Sequence, residues 1–143
     1  MLPGVSGGAV VSALVASDMA LIGYVCTIDA VPLSLNVYQR MNRWDRTTAK
    51  YEWQRLVNAA INKKGNVCPR GFERVELHAV IQFKTNRGRD GDNYATPLWK
   101  WTQDEMVRCH VISDDTHDKC RALPPKIVVG DVEQTILIIQ GER

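Results

Sequence analysis

No stretch of this 143-residue chain is long and apolar enough to cross a membrane as a helix. Its small-residue opening run is short and weakly apolar, and Asp18 interrupts it. That run also has no Lys or Arg, so it lacks the basic start of a secretory signal. The four cysteines (Cys26, Cys68, Cys109 and Cys120) are widely spaced and form no CxxC pair. This excludes a dense disulfide framework and points to reduced thiols in the cytoplasm. There is no internal repeat and no linker, which leaves one domain rather than an array. The net charge is only +2. That total argues against a strongly basic nucleic-acid coat protein.

The total conceals an uneven distribution. Residues 1–35 have no Lys or Arg and carry −2, residues 36–90 carry +7, and residues 91–143 carry −3. A basic middle followed by an acidic last third suits a protein that binds a polyanion with one part and a cation with another. Residues 1–18 (MLPGVSGGAVVSALVASD) read as an N-terminal extension, or as a start codon placed too far upstream. The folded domain is expected over 19–143.

Hydrophobic periodicity lays out the rest. Residues 20–28 (ALIGYVCTI) read as a strand. Residues 45–62 read as a helix, with Ala49, Trp53, Leu56, Val57, Ala60 and Ile61 on one stripe and Asp45 or Thr47 as its cap. Residues 72–83 alternate as a strand with Val75, Leu77, Ala79 and Ile81 inward. A second helix is expected over 97–110, with Leu98, Trp99, Trp101, Met106 and Cys109 on its apolar side and Glu105 unexplained among them. Residues 119–129 read as a strand bent at Pro124-Pro125, and 134–140 as a continuously apolar strand. The expected order is β-α-β-α-β-β: a single α+β domain with a mixed β-sheet and two main helices on one side of it. Trp44, Trp53, Trp99 and Trp101 are read as core or dimer-interface anchors, with a base-wedging role for one of them as the alternative.

Two acidic loops hold the chemistry. Residues 85–93 (TNRGRDGDN) have no apolar side chain and contain Asp90, Asp92 and Asn93, and residues 112–118 (ISDDTHD) contain Asp114 and Asp115. Carboxylates gathered in one place repel unless a hard divalent cation joins them, and Mg²⁺ takes a few carboxylate oxygens plus water. Solvated turns would show the same residues. An EF-hand loop from Asp90 fails, because Tyr94 and Trp101 stand where ligands are needed. Cys109, His110, His117 and Cys120 are zinc-type ligands, but neighbouring helical positions point about 100° apart, which sets a zinc site aside.

The ordered set of segments resembles the RusA family of Holliday junction resolvases over most of residues 20–140. VPLSLNVYQRMNRWDR (31–46) is similar to the family's Pro-Ser-Leu-Asn segment, which leads into basic residues and the first helix. RDGDN (89–93) is similar to its Asp-x-Asp-Asn core, and Asp114-Asp115 to its later acidic pair. The resemblance implies Asp90, Asp92 and Asp115 as catalytic, metal-binding carboxylates, with Asp114 as a further metal ligand. It implies Lys100 as a catalytic cation, although YATP (94–97) lengthens the gap before it. Asn36, Arg40, Arg43, Arg46, Lys50, Arg87, Arg89 and Asn93 are the expected DNA contacts. The activity that the resemblance implies is that of a Mg²⁺-dependent endodeoxyribonuclease, with Mn²⁺ as a substitute, that resolves four-way DNA junctions by paired phosphodiester cleavage. It would act as a homodimer, with no membrane and no small-molecule cofactor. A non-catalytic DNA-binding module of the same fold, or a structure-specific nuclease without junction preference, are the alternatives.

Overall fold

The computed structural model describes residues 21–143, so the expected extension over 1–18 lies outside the described residues. The elements are β1 (Leu21–Ile28), α1 (Leu35–Arg40), α2 (Arg43–Ile61), β2 (Arg74–Phe83), α3 (Asp92–Arg108), β3 (Cys120–Ala122), β4 (Lys126–Val129) and β5 (Gln134–Glu142). They form one α+β domain around a five-stranded mixed sheet. β5 lies between β1 and β2 and is antiparallel to both. β3 and β4 follow one another along the free edge of β2 and run parallel to it. The bend expected at Pro124-Pro125 is a break: Val75 pairs with Cys120, but Val80 pairs with Lys126, a step of one residue in register. Neither proline has an N–H to give the ladder, which is why this chain sits at an edge.

Alternation along β2 buries Val75, Leu77, Ala79, Ile81 and Phe83 on one face. That face joins Tyr24, Cys26, Leu137 and Ile139 from the flanking strands and the apolar stripes of α2 and α3 in one core. Both main helices therefore cover the same side of the sheet. Burial pushes the Cys26 and Cys68 thiols up, to about 12 and about 11, so both remain protonated at neutral pH.

All three helices differ from expectation. α1 was not foreseen; Ser34 caps it by accepting from the Val37 N–H at 3.2 Å. α2 begins earlier because Asn42, rather than Asp45 or Thr47, is its cap, accepting from the Asp45 N–H at 2.8 Å. α3 starts five residues before Pro97 and ends at Arg108. Pro97 inside it cannot donate to the Asn93 carbonyl. Its C-terminus closes with His110 at φ 61, where the His110 N–H bonds to Val107 O and the Val111 N–H to Met106 O. This is a Schellman motif, in which glycine is the usual residue at the left-handed position.

Polar side chains join the two long helices. Trp53 Nε1 donates to Thr102 Oγ1 at 3.0 Å, Gln54 Nε2 to the Trp101 carbonyl at 3.2 Å, and Asn58 Nδ2 to Glu105 Oε2 at 3.0 Å. Glu105, the anomaly in the apolar stripe, is 1% exposed and also accepts from Arg108 Nε at 2.9 Å. Burial pushes its carboxyl up, but the hydrogen bonds from Arg108, Asn58 and Cys109 outweigh that and hold it below the usual range. A lowered native pKa gives stability that is present above the unfolded value and is lost as pH falls through the native one. Glu105→Gln should therefore cost about 1–3 kcal/mol at pH 7. The difference from wild type should shrink in urea titrations as the pH falls below the ordinary glutamate range.

Candidate functional site

β2 ends at Phe83 on the face that carries the helices, and the chain leaves it through residues 84–91 to enter α3. The Asp-Gly-Asp-Asn motif straddles that entry. Asp90 and Gly91 precede the helix, whereas Asp92 and Asn93 are in its first turn. Asp90 Oδ1 accepts from the Asp92 N–H at 3.0 Å, and the Asp90 carbonyl accepts from the Asn93 N–H at 3.0 Å. Asp90 thus satisfies backbone donors at the helix start, a structural role that leaves its other carboxylate oxygen uncommitted. Asp92 in the first turn faces the positive end of the helix dipole. Both side chains are exposed, and neither forms an ion pair among the described residues.

Gly91 explains why the residue between the two acids is glycine. A Cβ there would lie 2.4 Å from the Pro125 carbonyl oxygen, so the loop is pressed against the β3–β4 break. That contact ties the acidic motif to the sheet edge.

The second acidic pair stands elsewhere. Asp114 and Asp115 follow the Schellman turn, past the C-terminus of α3. Asp115 lines a groove with Lys50, Gln54, Asp104, Glu105 and Arg108. Together with burial, its charge helps push the Cys120 thiol up to about 12. Asp104 is twelve residues after Asp92, about 18 Å of helical rise. The two expected halves of the metal set are therefore not brought together within one chain. Among the described residues no three His, Cys, Asp or Glu side chains converge as a metal site. Asp90 and Asp92 alone still fit Mg²⁺, which is commonly held by one or two carboxylates with water and substrate phosphate. Lys100 is exposed on α3, eight residues after Asp92 and four before Asp104, so it lies on the stretch between the two acidic ends.

The expected phosphate contacts fall into two groups. Arg46 is used internally: its Nε and Nη2 donate to the Tyr38 and Gln39 carbonyls at 3.0 Å, and its guanidinium lies over the Tyr38 ring. This locks α1 onto α2. Arg89 donates to Thr85 and stacks 3.8 Å above the Phe83 ring, which fixes the loop rather than a ligand. Lys50 pairs with Asp104 at 3.7 Å. Arg40, Arg43, Arg87 and Asn36 are exposed, and Asn93 is half-buried. Sequence reasoning missed Arg55, exposed on α2, although the helical pattern places it four residues after Tyr51.

Of the four tryptophans, Trp53, Trp99 and Trp101 are core residues, whereas Trp44 is open to solvent. No helix among the described residues is long and apolar enough to cross a membrane. No family model matches the chain, and no curated protein matches it significantly.

Gly91→Ala should force the loop away from Pro125 and cost about 1–3 kcal/mol, the usual range for overpacking. Thermal or urea unfolding measures that cost. A variant as stable as wild type would show that the Gly91–Pro125 approach does not hold the acidic loop.

Proposed function

We propose that the protein is a Mg²⁺-dependent endodeoxyribonuclease that acts on branched DNA, with four-way junctions as its substrate. The observation that carries this reading is the pair Asp90 and Asp92, exposed and free of ion pairs among the described residues at the head of α3, in a chain whose neighbouring segment is strongly basic. The resemblance of the ordered motifs to RusA resolvases supports the substrate class. When bound, Mg²⁺ supplies Lewis acidity at a phosphoryl oxygen and lowers the pKa of water. Asp90 and Asp92 hold it, and Asp90 does so while anchoring the first turn of α3. Lys100 places an ammonium on the same helix to offset charge on the phosphodiester. Arg40, Arg43, Arg55 and Arg87 bind phosphates and make affinity steeply salt-dependent.

Asp114 and Asp115 lie past the C-terminus of α3, at the opposite end of that helix from Asp90 and Asp92 of their own chain. In this reading they complete the site from the second copy of a homodimer. Such a dimer has a two-fold axis that suits the approximate two-fold symmetry of a junction, with two sites on opposing strands.

Asp92→Asn should abolish Mg²⁺-dependent nicking of a synthetic junction while junction binding without metal persists. Wild-type cutting by that variant would overturn the assignment. Asp115→Asn should also be inactive. Mixing and re-equilibrating the two inactive variants should restore nicking, since a mixed dimer regains one intact site. No recovery from a verified mixed dimer would place Asp115 outside that site. Junction, fork and plain duplex substrates compared side by side test the preference. Binding without nicking by the wild type in Mg²⁺ would identify a silent DNA-binding module instead.

A further inference from the structure

Trp44 is the most exposed large apolar side chain among the described residues, at 72%, and Tyr51 is next at 64%. Both are on α2. Seven residues apart on a helix, they project within about 20° of one another and about 10 Å apart along the axis. Arg55 continues the same line four residues further on, and Thr47 and Thr48 fill the space between the rings. The Arg43 guanidinium lies over the Trp44 indole, 5.1 Å from its centroid. At the far end Arg108, held by Glu105, borders a groove of about 430 Å³ together with Tyr51, Gln54, Arg55 and Asn58. No exposed carboxylate of α2 falls on this line. Asp45 and Glu52 project about 100° and 80° away from Trp44, and Glu105 is buried and already bonded.

Aromatic faces alternating with guanidinium groups match a polyanion that also has flat apolar surfaces to offer. A second copy of this chain fits less well, because a two-fold contact along the line would set Arg43 and Arg55 against like charges, and the nearest acids, Asp104 and Asp115, reach only the groove beside Tyr51 and Arg108, where Arg108 is already paired with Glu105. Intact duplex fits poorly as well, because its base faces are stacked on each other. Unpaired bases meet both requirements: a stacked base contributes affinity whatever its identity, and the phosphates meet the arginines. We propose that Trp44 and Tyr51 form a stacking platform for unpaired bases of single-stranded DNA, with Arg43 and Arg55 holding its phosphates. The proposal rests on the DNA-binding part of the function proposed for this chain. It adds that the substrate presents unpaired bases to α2, as the opened centre of a branch does.

The test is binding of a short oligo-dT strand to the full chain, followed by tryptophan fluorescence and by anisotropy of a labelled strand. The strand should quench wild-type emission. Trp44→Ala should remove the quenching and weaken affinity about 5- to 150-fold, the range that a stacked base supports. It should leave the slope of log K against log salt unchanged, whereas Arg55→Ala should reduce that slope by about 0.7. Trp44→Phe should keep most of the affinity, and Tyr51→Ala should repeat the Trp44→Ala loss. Oligo-dT binding by Trp44→Ala and Tyr51→Ala at wild-type strength would overturn the platform. So would sedimentation showing that these variants turn a dimer into monomers, which would make the line a protein interface. Junction nicking in Mg²⁺ on the same preparations separates the two readings. Nicking with unchanged oligo-dT affinity sinks the platform alone, and quenching without nicking sinks the nuclease alone.

Discussion

Glu105 is a carboxylate inside the apolar stripe of α3, and the contact between α2 and α3 is organised around satisfying it. An ionised group taken out of water is costly unless hydrogen bonds replace its solvation. Here Asn58 supplies one from across the interface, Arg108 supplies more from the next turn, and the Cys109 thiol adds a weaker one. Trp53 and Gln54 extend the same connection toward the N-terminus of α2. These bonds are directional, which apolar packing is not, so they set how the helices slide and rotate against one another. That in turn fixes the basic surface of α2 relative to the acidic ends of α3.

The acidic ends themselves are held by backbone events. At the head of α3, Asp90 bonds to the first turn and Gly91 presses on the Pro125 carbonyl. At the tail, His110 adopts a left-handed conformation that closes the helix and sends the chain back toward β3. α3 connects two parallel strands, β2 and β3, so it must run the length of the sheet before the chain can return. Anything attached to its two ends is therefore separated by the helix itself. This topological constraint is why acids that belong to one ordered set of motifs in the chain are not neighbours in the fold.

Charge is partitioned on the same scaffold. The basic segment is less uniform than its +7 implies. Arg46 and Arg89 are spent on carbonyl oxygens and aromatic rings, and Lys50 on Asp104. They hold α1, the loop and α3 in place. The arginines that remain outward on α2 lie beside exposed aromatics rather than in a uniform positive field, a surface suited to a ligand with both phosphates and flat apolar faces.

Local pattern alone determined the α+β class, the inward face of β2, the stripe of α2 and the apolar strand β5, because burial of a regular element leaves a period of two or of about 3.6 in the residues. Short α1 left no such period and was not legible. The start of α3 was masked by Pro97, which reads as a first-turn residue, whereas the helix actually begins where Asp90 can bond to Asp92. Glu105 looked like an error in a stripe because its partners Asn58 and Arg108 become visible only once two helices meet. Likewise, four tryptophans look alike in a sequence, and only packing separates three buried ones from Trp44. The acids of the candidate site were legible as residue types in order. Their separation was decided by tertiary structure, since a helix between parallel strands keeps its ends apart.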